Sequence, residues 1–245
     1  MAKTESKILS PDALPDIISS GKAETLVFFG DEDYLKTVWT ERISKAVMTA
    51  DGFDVFNRFS VSLSDEKSGL SSLADALFAA PMMQELTLVE VCDLGAIVGK
   101  SSSVDVLAET LSGGGGDAFT ILNFRSDELE ADYRFEQSAL FKKLSPICKF
   151  VKFDLLSSGK LIAWAKKLIA GKNGCLYLTD EAAAALCELC SGRMLAVLSE
   201  TEKLAAYKNY AQSGAATPIT EEAVRTVCVQ NAKDDLPFAM STAAA

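Results

Sequence analysis

The segment LVFFGDEDYLK, residues 26–36, constrains the fold of this chain more than any other. The apolar run from Leu26 to Phe29 predicts a buried strand, and Gly30 leads directly into an amphipathic helix, as in the first strand and helix of a nucleotide-binding α/β domain. An ATPase has a glycine-rich loop ending in Lys-Ser or Lys-Thr there, because backbone N–H groups and the ammonium bind phosphates. Here three acids follow, Asp31, Glu32 and Asp33, and their charge would repel a triphosphate. The segment therefore favours a binding or mechanical role over an enzymatic one.

Strand-like and helix-like segments alternate along the first part of the chain. Predicted strands lie at 25–29, 53–62, 86–92, 118–124 and 150–155, with amphipathic segments between them. This order predicts an α/β domain over residues 1–155, with a parallel sheet flanked by helices. The strand signal stops after residue 155, and four helical segments predict a small all-helical domain over residues 156–235. Residues 236–245 are expected to begin a further element that is too short to be complete.

The residue types present exclude several kinds of catalysis. The chain contains no histidine, so Ser-His and Cys-His nucleophilic sites are impossible within it. Glu90 and Asp93 lack the spacing of adjacent magnesium-binding acids, and we predict no catalytic residues, no metal site and no cofactor. Cys187 and Cys190 form a CxxC inside a predicted helix, where core packing is favoured over redox chemistry or metal binding.

The distribution of charge bears on the choice of partner. Residues 1–155 contain 15 Lys and Arg against 25 Asp and Glu, and residues 156–245 contain nine of each, so the net charge of −10 lies in the first part. An acidic first part disfavours DNA binding in isolation, although it allows DNA contact within an assembly. One predicted helix carries a row of lysines that forms either a solvated face or a contact for DNA or an acidic partner: Lys160, Lys166, Lys167 and Lys172.

Apolar runs in this chain are far shorter than the roughly 20 residues that a membrane span requires. The first residues, MAKTESKILSPDALPD, lack the apolar centre of a secretory signal. We therefore expect a cytoplasmic protein without a membrane partner.

The nearest approach to a phosphate loop is Gly99-Lys100-Ser101, which precedes a predicted helix. A P-loop requires another glycine at position 94, where the chain has Leu94, and Gly95 is one place off. The loop also follows a strand late in the predicted order, and not the first strand. Two interpretations remain: a polar loop with Ser101 as the helix cap, or a phosphate site in an active P-loop or AAA+-type ATPase.

The corner Pro81–Glu85 joins a predicted leucine-rich helix, which contains Leu77 with Phe78 beside it, to the strand LTLVEV. Met82 and Met83 are adjacent, and two adjacent side chains of one regular element do not both point inward. At least one methionine is thus expected at the surface, where its pliable side chain suits an apolar groove of a partner. Local packing at the corner is the alternative.

The order of these motifs resembles the delta subunit of the bacterial DNA polymerase III clamp loader. LVFFGDEDYLK is similar to that family's opening strand and helix, and FDVFNRFS (53–60) stands where its second strand lies. LADALFAAPMMQELTLVEV (73–91) is similar to its leucine-rich helix and the strand that follows. SGRMLAVLSETEKLAAY (191–207) and PITEEAVRTVC (218–228) resemble its lid signature.

This resemblance implies an AAA+-like fold with a degenerate nucleotide site over residues 1–155, a helical lid over 156–235 and the start of a collar domain over 236–245. It further implies a non-catalytic subunit of the polymerase holoenzyme that binds the ring-shaped sliding clamp and helps to open it. The implied partners are the clamp, other clamp-loader subunits and DNA within the assembled complex. Met82 and Met83 replace the family's Leu-Phe wedge, and Leu77 and Phe78 would be the packed support behind them.

Overall fold

The structure is a computed structural model, and it describes residues 8–49, 52–130, 132, 134–172, 175–209 and 217–228, with no account of the side chains of 208 and 209. The chain divides between Asp154 and Leu155 into two compact units. The expected start of a collar domain at 236–245 lies outside the described residues.

The first unit alternates strands and helices. Its elements are β1 (Ile8–Leu9), α1 (Leu14–Ser19), β2 (Thr25–Phe29), α2 (Asp33–Val47), α3 (Asp54–Asn57), β3 (Arg58–Ser62), α4 (Glu66–Leu77), β4 (Thr87–Cys92), α5 (Ser101–Gly113), β5 (Ala118–Asn123), α6 (Ala139–Leu144) and β6 (Lys149–Lys152). Short 3₁₀ helices lie at Pro11–Ala13, Leu94–Ile97 and Phe135–Gln137.

The six strands of this unit form one sheet in the order β1-β6-β2-β5-β4-β3, and every neighbouring pair is parallel. Helices cover both faces, because parallel neighbours require crossover connections. Strand β2 shows the result: Leu26 and Phe28 pack in the core on one face, and Val27 and Phe29 pack in the core on the other. Burial on both faces explains its continuous apolar run. The predicted parallel α/β sheet flanked by helices is confirmed.

Two predicted elements of the first unit differ in detail. The strand predicted at 53–62 begins only at Arg58, because residues Asp54–Asn57 form the helical turn α3. The helix predicted from about Asp132 is divided by Ser138, whose hydroxyl accepts a hydrogen bond from the N–H of Phe141 and caps α6.

The second unit contains α7 (Ser158–Lys172), β7 (Leu176–Leu178), α8 (Asp180–Leu189), α9 (Met194–Asn209), β8 (Thr217–Ile219) and α10 (Glu221–Val227). Its helical character is confirmed, and the hydroxyls of Thr179 and Thr220 cap α8 and α10 as predicted. The expectation that no strand follows residue 155 is wrong, since β7 and β8 pair in parallel. Three residues are too few to produce a periodic strand pattern.

Cys187 and Cys190 are buried in the second unit as free thiols. Burial raises the pKa of Cys187 to about 11 and that of Cys190 to about 12, so both thiols are protonated at neutral pH. The burial and protonation of both thiols agree with the predicted core packing. Of the helices that the structure describes, none is both long and apolar enough to cross a membrane.

Candidate functional site

The carboxyl end of β2 is where an open α/β sheet commonly binds a ligand. Here Gly30 has a φ of +106°, and a Cβ atom at this position would lie 2.5 Å from the carbonyl oxygen of Phe153. Only glycine fits, because the backbone that follows β6 passes directly against it. The turn after β2 is therefore tight and closed where a phosphate loop would be wide and open.

A buried cation also occupies this end of the sheet. The ammonium of Lys36, whose side chain is 1% exposed, donates to the carbonyl oxygens of Gly30 (2.8 Å) and Phe124 (2.6 Å) and lies 2.7 Å from Oδ1 of Asp33. A lysine ammonium has three donors, and all three have an acceptor here. We call this arrangement the Lys36 bridge. It joins the ends of β2 and β5 through the first turn of α2.

The acids of the opening segment bind protein groups. Asp33 accepts hydrogen bonds from the N–H (3.0 Å) and the hydroxyl (2.7 Å) of Ser126. Partial burial raises the pKa of Asp33, but hydrogen bonds from Lys36 and Ser126 and the positive charge of Lys36 outweigh it, so the pKa lies below its ordinary value. Glu32 is buried, and its carboxylate caps α2 by accepting from the N–H of Tyr34. The sequence analysis recognised these acids but missed Lys36.

The acids at β4 have separate structural partners. Glu90 accepts from Nε of Arg58 (2.8 Å), and Asp93 accepts from the hydroxyl of Ser62 (2.7 Å) and from Nη1 of Arg125 (2.9 Å). Among the described residues, no group of three or more His, Cys, Asp or Glu side chains is arranged to hold a metal ion.

The loop Gly99-Lys100-Ser101 borders a cavity of about 510 Å³. The ammonium of Lys100 lies 3.3 Å from Oε2 of Glu66, and the ammonium of Lys143 donates to the carbonyl oxygen (3.0 Å) and the hydroxyl (2.7 Å) of Ser101. The prediction that Ser101 caps the helix is wrong: Ser101 is the first residue of α5, and its hydroxyl is held by Lys143. The Lys100 ammonium and the Ser101 hydroxyl, which would bind phosphate in a P-loop, thus already contact Glu66 and Lys143 of the same unit.

The methionine corner lies between α4 and β4. Met82 is 44% exposed and Met83 is 75% exposed, so both side chains reach solvent. Met83 has a φ of +61°, a left-handed conformation that is uncommon for a residue other than glycine. Leu77 is buried in the core, as expected of a support, whereas Phe78 is 64% exposed. The proposed packing role of Phe78 is therefore wrong, because Phe78 follows the last residue of α4 and lies at the surface.

Two amide side chains hold the methionine corner in place. Asn57 is fully buried; its Oδ1 accepts from the N–H of Met82 (2.7 Å), and its Nδ2 donates to the carbonyl oxygens of Met82 (2.8 Å) and Phe53 (3.1 Å). Gln84 accepts from the N–H of Thr49 (3.2 Å) and donates to the carbonyl oxygen of Leu86. The sequence analysis missed both residues; the only signal was an asparagine inside a run interpreted as a strand.

The lysine row on α7 is partly neutralised within the second unit. Lys166 pairs with Asp180, and Lys172 pairs with Glu202 at 2.6 Å. Lys160 and Lys167 are exposed. Two of the four lysines thus have acidic neighbours, which reduces the positive potential that a DNA-binding surface requires.

Comparison with known proteins gave matches among solved structures. No protein-family model matches the sequence, and no curated protein sequence matches it. The DNA clamp loader delta protein of Bacillus subtilis is 18% identical with a TM-score of 0.53, over 90% of this chain and 62% of that one. The RuvB Holliday junction branch migration motor of Thermotoga maritima is 11% identical with a TM-score of 0.56, over 89% and 68%. A DNA polymerase III gamma subunit-related protein of T. maritima is 12% identical with a TM-score of 0.52, over 81% and 61%.

These similarities establish the fold. The expected architecture, a parallel sheet flanked by helices with a helical portion after it, is confirmed, and these solved structures share that fold. The chain spans about 62% of the length of the delta protein that it matches.

Proposed function

We propose that this chain is a non-catalytic clamp-loader subunit of the delta type, which binds a sliding clamp and helps to open it for loading onto DNA. The observation that carries the proposal is the methionine corner, where two adjacent apolar side chains are exposed on a backbone fixed by Asn57 and Gln84. The order of sequence motifs and the fold shared with a clamp loader delta protein support the same assignment.

The geometry of the corner suits insertion into an apolar groove. Burial of exposed apolar side chains against a partner lowers the free energy by about 25 cal/mol per Å² of apolar surface. A backbone that is already ordered also lowers the entropy cost of binding. Phe78 joins this surface as an exposed aromatic side chain, while Leu77 anchors the end of α4 in the core. We therefore assign Met82 and Met83 as the wedge, with Phe78 as an added contact and Leu77 as its support.

The Lys36 bridge supports a role without ATP hydrolysis. It joins the ends of β2 and β5, and it directs the lysine ammonium toward protein carbonyls. In this proposal the energy for clamp release comes from ATP bound by other subunits, and this chain stabilises the open ring by binding it. The chain then functions without a cofactor of its own, as a component of the polymerase holoenzyme.

The proposal also assigns the parts of the chain. Residues 1–155 form the clamp-binding domain with a degenerate nucleotide site, and residues 156–235 form the lid. The partners are the sliding clamp and other clamp-loader subunits, with DNA contacted within the assembled complex in the cytoplasm.

Replacing both methionines tests the wedge directly. We expect the double variant Met82→Ala, Met83→Ala to bind a sliding clamp at least tenfold more weakly by calorimetry, a loss of about 1.4 kcal/mol. Val106→Ala is the matched control, because Val106 on α5 is as exposed as Met82 and lies outside the corner. Unchanged affinity in the double variant, with a wild-type unfolding curve, would reject the assigned wedge.

A further inference from the structure

We infer that the clamp-binding surface has a second half, formed by Val55 and Phe56 on the turn α3. This inference rests on the proposed function, since it names further residues that contact the same partner. Val55 is 84% exposed and Phe56 is 52% exposed, on a turn that leads into the edge strand β3. They belong to the same turn as Asn57, whose side chain bonds the main chain of Met82.

The connection is made by Asn57, the residue after Phe56. Its side-chain amide bonds both main-chain polar groups of Met82, the N–H at 2.7 Å and the carbonyl at 2.8 Å. The same Nδ2 bonds the carbonyl of Phe53, which closes the turn. These three bonds restrict movement of α3 relative to the corner. Breaking any of them would leave a buried polar group without a hydrogen-bond partner, which is costly. Val55, Phe56, Met82 and Met83 are therefore presented as one preorganised surface.

The aromatic side chains at the turn are also ordered. The rings of Phe53 and Phe56 have centroids 6.4 Å apart, within the range of favourable aromatic contacts. Phe53 is half-buried and Phe56 is 52% exposed, so the Phe56 ring contacts a partly buried neighbour while about half of its surface remains open to a partner. An exposed aromatic residue beside a half-buried one resembles the anchors that dominate binding energy in protein interfaces.

Charged residues beside the proposed surface indicate which kind of clamp surface would bind it. Asp54 precedes Val55 and Glu85 is the last residue of the methionine corner, and both carboxylates are exposed. The residues 1–155 that carry this surface also hold the net negative charge of the chain. The complementary partner is therefore a face of the sliding clamp with an apolar groove and basic side chains at its edge.

The test compares two double variants of the full chain in clamp-binding calorimetry. We expect Val55→Ser, Phe56→Ser to weaken clamp binding at least fivefold, while the double serine control Val106→Ser, Leu195→Ser, at exposed apolar positions elsewhere, binds as the wild type. A second measurement uses the wild-type chain: addition of the clamp should slow hydrogen exchange across residues 54–57 and leave exchange around Val106 unchanged.

The outcomes separate this inference from the proposed function. Loss of binding with Met82→Ala, Met83→Ala, together with wild-type affinity for Val55→Ser, Phe56→Ser and unchanged exchange at 54–57, would reject the second half and leave the wedge intact. Weakening by the α3 variant alone would contradict a two-part surface. No effect of either variant would reject both the wedge and this inference, whereas no clamp binding by the wild type would reject the proposed function and this inference with it.

Discussion

Replacing Lys36 with methionine is the most direct test of how the first unit is closed at the carboxyl end of its sheet. Methionine keeps most of the length of the side chain and removes the ammonium. The carbonyl oxygens of Gly30 and Phe124 then lose the donor that Lys36 provides, and Asp33 loses its cation. The fold is retained in this variant because the apolar cores on the two faces of the sheet are untouched.

The size of the effect follows from these contacts. A buried acceptor left without a donor costs about 1–3 kcal/mol, which gives about 2–6 kcal/mol for the two carbonyls. Asp33 adds little, because its side chain is 45% exposed and keeps its bonds to Ser126. The variant also avoids the cost of burying an ammonium, which offsets part of this loss. We therefore expect Lys36→Met to lower the free energy of unfolding by about 2–4 kcal/mol.

The assay should follow the first unit alone. The chain has two tryptophans, Trp39 on α2 and Trp164 on α7, so Trp164→Phe leaves one fluorescent reporter on the helix that carries Lys36. With a urea m-value of about 2 kcal/mol/M, the midpoint should fall by about 1–2 M. Lys45→Met is the control, since Lys45 is exposed on the same helix, and its effect should stay below about 1 kcal/mol. Equal midpoints for the two variants would refute the stabilising role of the bridge.

The remaining predictions concern nucleotide and pH. The chain should show no ATP binding at micromolar concentrations by calorimetry, because Leu94 stands where a P-loop needs glycine and the Lys100 ammonium pairs with Glu66; micromolar affinity that Lys100→Ala abolishes would instead favour the ATPase alternative. The Asp33 carboxylate has a folded-state pKa below its ordinary value of 3.8, so its contribution to stability is present above about pH 4 and is lost as the pH falls through the folded pKa. Acid unfolding curves of wild type and Asp33→Asn should therefore converge below pH 4; a constant difference down to pH 2 would contradict this linkage.

The sequence predicted the elements whose physical cause is local. Strands buried on both faces appear as continuous apolar runs, and helices begin at side chains such as Thr179 and Thr220 that cap their own first turn. The exposure of at least one methionine was also predictable, because adjacent side chains of one element diverge; the structure exposes both, in a corner that belongs to no helix or strand. The packing of Phe78 was predicted wrongly, since apolar character alone does not distinguish the last buried residue of a helix from the first exposed residue beyond it.

The contacts that order the candidate site were beyond such prediction. Asn57 bonds Met82 across 25 positions, and Lys36 reaches Phe124 across 88. Neither pair shares a period or a motif, and each forms only when the sheet brings distant segments together. The turn α3 was hidden for the same reason: its apolar residues fit a strand pattern, and the tertiary bonds of Asn57 to Met82 favour a helical turn there.

The Lys36 bridge has a consequence for protein engineering. A designer who wished to install ATP hydrolysis here would have to widen a turn that admits only glycine against Phe153, remove a cation that stabilises the unit and add a phosphate loop. Each step alone lowers stability before any nucleotide can compensate for it. The fold therefore disfavours a phosphate loop at this turn, and the intermediates on a path toward one would be less stable than the present chain.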